Sequence, residues 1–118
     1  MNPFDPAASE IVFEVFSGGA PVYRGVLFPG DVRKRGNKWK FLDRKAKKTG
    51  GVRDGISLFE VTQRAGIWKF HVKIRRGFAG DLDPLVRVMM SVDGDVVYDR
   101  EEEWLKRRSG LYFDLGRN

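Results

Sequence analysis

The pair Asp93-Gly94 divides two runs that alternate apolar and polar residues, LVRVMMSV over 85 to 92 and VVYDR over 96 to 100. A type I′ turn needs positive φ at both central residues, which aspartate followed by glycine accepts, so this dipeptide commits the two runs to an antiparallel hairpin. The rest of the chain uses the same grammar. IVFEVF (11 to 16) stops at Ser17-Gly18-Gly19, and PVYRGVLF (21 to 28) returns and stops at Pro29-Gly30. KWKFLD (38 to 43) follows a turn at RKRGN (33 to 37), and ISLFEVTQ (56 to 63) meets IWKFHVKIRR (67 to 76) across Arg64-Ala65-Gly66. Short runs rich in β-branched and aromatic residues, punctuated about every 8 to 12 residues, describe an all-β domain. Glycine, at 14 of 118 residues against an average near 7%, supplies the turns.

After Arg100 the pattern changes. EEEWLKRR (101 to 108) offers Glu102 to Lys106 and Glu103 to Arg107 pairs at i,i+4, which predicts a short helical turn stopped by Gly110, and LYFDL (111 to 115) reads as a last strand. The expected architecture is therefore an antiparallel sandwich or partly open barrel of about seven or eight strands. Residues 1 to 118 make a single β domain, with 1 to 9 an irregular N-terminal segment and 101 to 118 an atypical C-terminal extension. The period-2 rule assigns the core to Phe13, Val15, Leu27, Trp39, Phe41, Phe59, Val61, Trp68, Phe70, Val72, Ile74, Val86, Val88, Met90, Val97 and Phe113. With 42% hydrophobic residues the chain has the material for one such core and lies outside the disordered class.

The absence of cysteine excludes disulfides, zinc-thiolate sites, iron-sulfur clusters and thiol nucleophiles. No window approaches the roughly 18 apolar residues of a spanning helix, and MNPFDPAASE at the N-terminus has neither a basic nor an apolar signal region. A soluble chain is expected, cytoplasmic if that N-terminus is native.

Charge is strongly local. The chain carries +6 overall, but residues 33 to 53 alone carry +9, so the other 97 residues are net acidic. In strand 67 to 76, Trp68, Phe70, Val72 and Ile74 share one face, and Lys69, His71, Lys73 and Arg75 the other. Trp39 and Phe41 likewise oppose Lys38 and Lys40. If both strands lie in one sheet, their polar faces merge into a cationic surface. The candidates for polyanion contact are Arg33, Lys34, Arg35, Lys38, Lys40, Arg44, Lys45, Lys47, Lys48, Arg53, Lys69, Lys73 and Arg75. Readers of single-stranded nucleic acid place aromatics beside cations on one face, whereas here the aromatics point inward, which leaves a phosphate-type, sequence-indifferent contact. The same lysines would also protect an edge strand with no ligand at all.

Catalytic sets are missing. His71 is the sole histidine, with no second imidazole or cysteine to complete a metal or acid–base set. GGVRDGIS (50 to 57) has the spacing of a phosphate-cradling loop, but Ile56 stands where the lysine belongs. Asp81, Asp83, Asp93 and Asp95 lie in two loops that could meet at one end of a sandwich and offer oxygen ligands to calcium, although aspartate is also an ordinary turn residue. No cofactor is implied.

Trp39-Lys-Phe-Leu-Asp43, a basic linker, Gly50-Gly51-Val52, a further strand and Trp68-Lys-Phe-His-Val-Lys73 together form a recognisable pattern. It resembles that of β-rich modules that recur, often in tandem, in large secreted or surface proteins of bacteria. The likeness runs from about Val12 to Tyr98. It implies a non-catalytic building block at the cell surface or outside the cell, and it supplies no site residues. The function expected first is thus a binding or structural module with a protein or polyanion partner. Nucleic-acid or other polyanion binding through 33 to 53 and 69 to 76 stands second, and an enzyme of unrecognised type third.

Overall fold

Asp93 and Gly94 adopt φ of 49° and 88°, the left-handed geometry their turn requires. In a computed structural model of the chain the described residues are 5–45, 53–64, 67–75, 83–103, 105–107 and 110–115. They form ten strands and no helix: β1 (Ile11–Ser17), β2 (Ala20–Leu27), β3 (Arg33–Arg35), β4 (Lys38–Leu42), β5 (Ile56–Arg64), β6 (Ile67–Ile74), β7 (Leu85–Val92), β8 (Asp95–Glu103), β9 (Leu105–Arg107) and β10 (Gly110–Leu115). Among the described residues, therefore, none forms a helix long and apolar enough to cross a membrane.

Two antiparallel sheets result, one ordered β2-β1-β7-β8 and the other β3-β4-β5-β6-β10-β9. Alternation dictates which side chains they turn toward each other. β1 commits Ile11, Phe13 and Val15, β7 commits Val86, Val88, Met90 and Val92, and across from them β5 and β6 supply Phe59, Val61, Phe70, Val72 and Ile74. All belong to one buried cluster. Phe13, Phe59 and Phe70 are each 1% exposed or less, and such burial contributes about 1.5–3 kcal/mol per side chain. Tyr98 of β8 meets Phe70 of β6 edge-to-face at 6.3 Å between ring centroids, joining the sheets.

Of the core expected from periodicity, Phe13, Val15, Leu27, Trp39, Phe41, Phe59, Val61, Phe70, Val72, Ile74, Val86, Val88 and Met90 are buried, and Val97 packs partly buried against them. The side chains of Trp68 and Phe113 lie outside the described ones. Ile11, Val22, Tyr23, Val32, Ile56, Val92 and Tyr98 join the core without having been expected there.

Two segments differ from the sequence reading. Among the described residues of 101 to 108 there is no helical turn: Glu101, Glu102 and Glu103 continue β8 opposite Arg87, Val86 and Leu85, and Leu105–Arg107 pairs with β10. Solvent-exposed i,i+4 ion pairs contribute only about 0.2–0.5 kcal/mol each, whereas each backbone bond added to an existing ladder contributes about 0.5–1.5 kcal/mol. The ladder wins. The second difference is at RKRGN, where Arg33–Arg35 is a strand and only Gly36 and Asn37 make the turn, with Gly36 at φ 62°.

Candidate functional site

The outer face of the six-stranded sheet gathers most of the described basic candidates. Residues that pair directly across a ladder share a face. The register therefore yields rows of outward positions: Arg35, Lys38, Thr62 and Lys69, then Arg33, Lys40, Glu60 and His71, then Leu42, Leu58 and Lys73. β4 and β6 do lie in one sheet, but β5 runs between them and brings Glu60, Thr62 and Leu58 to the middle of the surface. The cationic surface is thus two basic strips either side of a less charged strand. Glu60 answers little of the charge, since its Oε2 reaches Lys40 Nζ only at 4.0 Å and Lys40 is half exposed.

Two open hollows indent this face. The larger, about 740 Å³, is lined by Arg33, Arg35, Lys38, Lys40 and Arg44 together with Asp31, Phe41, Leu42 and Glu60. The smaller, about 250 Å³, is lined by Asp43, Arg44, Ser57, Leu58, Lys73 and Arg75, and shares Leu42 and Arg44 with the first. A bulge between Ile56 and Leu58 shapes it. Within that bulge Ser57 is buried and its hydroxyl donates to the Lys73 carbonyl at 3.3 Å. Leu42, 50% exposed on the rim between the hollows, is an aliphatic contact that charge counting passed over.

Three candidates sit differently from the rest. Lys34 is on the opposite side of β3, its Nζ 5.1 Å from the Trp39 ring centroid. Arg53 is held against Asp31, Nε to Oδ2 at 2.5 Å and Nη2 to Oδ1 at 3.0 Å, and its guanidinium lies 4.9 Å from the Phe28 ring centroid. Burial pushes the Asp31 carboxyl up, but the hydrogen bonds from Arg53 and from the Phe28 N–H, with the attraction of the guanidinium, hold it below its ordinary value. Lys45 is exposed, and its N–H donates to Asp43 Oδ1 at 3.0 Å in the loop after β4. Lys47 and Lys48 lie outside the described residues.

The loop of residues 53–55 fastens the sheets together. The Tyr23 hydroxyl donates to the Asp54 carbonyl at 2.8 Å, the Val26 N–H on edge strand β2 to the Asp54 carboxylate at 3.0 Å, and the Arg75 N–H to the Gly55 carbonyl at 2.8 Å. Burial, followed by the Asp54 charge, raises the Tyr23 phenol well above its usual range, so it remains a donor. Gly25 permits this approach, because a Cβ there would overlap the Tyr23 hydroxyl and stand 3.0 Å from Ile56 Cδ1.

The described calcium candidates do not converge. The Asp83 N–H donates to Ser17 Oγ at the end of β1, while Asp93 exchanges hydrogen bonds with Glu10 at its start. Those ends are separated by the length of a strand, roughly 20 Å. The Asp93 carboxylate accepts the Glu10 N–H, Asp95 begins β8 opposite Val92, and Asp81 lies outside the described residues. Among the described residues no group of three or more His, Asp or Glu side chains could hold a metal ion.

Comparison with protein-family models, with curated proteins and with solved structures finds no match.

Proposed function

We propose that this chain is a non-catalytic β-sandwich module that works by binding, and that the bound species is a polyanion taken on the outer face of the six-stranded sheet. The observation that carries this reading is the larger hollow, where Arg33, Arg35, Lys38, Lys40 and Arg44 converge on one surface while Asp31 is already held by Arg53. Two sheets closed over one apolar cluster support the sandwich. The likeness of the Trp-Lys-Phe and Gly-Gly-Val pattern to modules of bacterial surface proteins supports membership of a larger surface or secreted assembly.

No aromatic stands at the outward positions of β3 to β5 around the larger hollow, and the Tyr112 position enters the face only beyond β6, opposite Lys73, so affinity at that hollow would come from charge and would not depend on base sequence. Contact with about five anionic groups gives a log–log salt slope near −4 to −5 for a phosphate polymer. The test is binding of heparin, duplex DNA and single-stranded RNA as salt is raised from about 50 to 200 mM. Binding that weakens steeply and is indifferent to sequence supports the proposal. Failure of all three ligands at the lowest salt defeats it.

A further inference from the structure

Strands β3 and β4 set Arg33 opposite Lys40 and Arg35 opposite Lys38, and all four side chains line the larger hollow. Like charges directly opposite on one face of an antiparallel pair destabilise it. Cross-strand partners are about 5 Å apart and successive residues on one face about 7 Å. Four cationic side chains therefore spring from the corners of a small quadrilateral. Little in the hollow relieves them. The two Asp31 oxygens are engaged by Arg53, Glu60 approaches Lys40 alone, and Lys38 has neutral Thr62 on its other side. Lys34, in the same three-residue strand, shows the contrasting arrangement, turned to the other face and set over Trp39.

A hairpin that holds two like-charge pairs on one face gives up stability, and such departures from local consistency are expected at functional sites. We propose that this quadrilateral is the binding site for an oligophosphate, a short chain of linked phosphates. The inference rests on the polyanion reading and narrows it. Phosphates joined through shared oxygens carry their charges closer together than these backbone positions stand, and the long Arg and Lys stems let the four cationic heads draw in to meet them. Arginine forks at positions 33 and 35 can each take two oxygens of one phosphate, and the two lysines add point charges opposite. With no aromatic at the outward positions of β3 and β4, a base or nucleoside attached to the phosphates adds nothing to recognition at the quadrilateral.

The test uses the whole chain and inorganic tripolyphosphate, titrated by calorimetry at about 50 mM salt beside a sulfated oligosaccharide and an oligo-dT. Tripolyphosphate is expected to bind, and Lys38→Glu to weaken it about tenfold or more. The same substitution turns the Arg35 pairing from like to opposite charge, so the thermal midpoint should rise as binding falls. That combination separates loss of the site from loss of the fold. Arg35→Gln, which removes a corner without reversing charge, is the second variant and should also weaken binding. Lys69→Glu, two strands away, should change tripolyphosphate affinity less than about threefold. The inference is overturned if Lys38→Glu and Arg35→Gln leave affinity unchanged, or if Lys69→Glu lowers it as much. It is overturned too if the oligosaccharide or oligo-dT binds and tripolyphosphate does not, an outcome that leaves the broader polyanion reading standing. If none of the three binds, both fall.

Discussion

Arg53 and Arg35 come from the same basic run, and the fold treats them in opposite ways. Arg53 ends the run in a loop, where its guanidinium meets both oxygens of Asp31 and covers the Phe28 ring, with 28% of the side chain exposed. Arg35 sits in an edge strand opposite Lys38, exposed, with a second cation where a carboxylate would stabilise the pair. One cation is consumed by the architecture and the other is left available by it. The difference lies in the partner each position meets, a loop carboxylate for Arg53 and a cross-strand lysine for Arg35, and not in residue type.

The largest effect is expected at the fastening loop. Arg53→Ala removes two charge-assisted bonds and leaves Asp31, 16% exposed, without its counter-charge. Hydrogen bonds to charged groups contribute about 1.5–3 kcal/mol, so stability in urea should fall by about that amount. A loss below about 0.5 kcal/mol would show that the pair is no more than a surface ion pair. Next in size is Tyr23→Phe, which deletes the hydroxyl that reaches the Asp54 carbonyl across the sheets. Removing one neutral bond and leaving its acceptor partly buried should cost about 1 kcal/mol, read from the same titration. Tyr23→Phe should leave polyanion binding unchanged, whereas Arg53→Ala, which frees the Asp31 carboxylate lining the larger hollow, should weaken it.

Much of this division could be read from the chain, and the part that could not has physical reasons. Asp93-Gly94, the strand alternation and the inward Trp39 and Phe41 are local signals, each set by backbone φ or by the period of two. The face made by Lys38 and Lys40 followed from that period. Strand order did not, because the β5–β6 hairpin is local but its docking onto β4 pairs Lys38 with Thr62 and Leu42 with Leu58 across a long intervening segment. Glu60, Leu42 and Leu58 were consequently missed as parts of the surface. The segment 101 to 108 was misread because its i,i+4 charge pairs score as helix locally, while the ladder with β7 that holds Glu101 to Glu103 is non-local. Asp31 gave no sign of claiming Arg53, since the contact spans 22 residues and a turn.

Acid sharpens the contrast further. The Asp31 carboxyl is held below its ordinary value, so the group binds a proton more readily in the unfolded chain than in the folded one. Its contribution is fully present above the unfolded carboxylate pKa near 3.9 and is lost as pH falls through the lower folded value. The stability gap between the native chain and Arg53→Ala should therefore be constant from about pH 7 to 5 and narrow below about pH 4. A gap unchanged down to about pH 2 would mean that Arg53 acts through its packing on Phe28 and not through Asp31.

The smallest stability effect is expected on the sheet face itself, and it tests the comparison from the other side. Lys73 stands opposite Leu58 on β5 and lines the smaller hollow. Its backbone carbonyl, which accepts the Ser57 hydroxyl, survives any side-chain change. Lys73→Gln removes the charge and keeps the Cβ and Cγ methylenes beside Leu58, and at this half-buried position stability should stay within about 0.5 kcal/mol of the native value. If the face binds phosphate polymers, the same change should reduce the steepness of the log–log salt dependence by about one contact's worth. A destabilisation comparable to that of Arg53→Ala would erase the distinction between consumed and available cations. An unchanged slope would confine the binding surface to the β3–β4 side of Glu60.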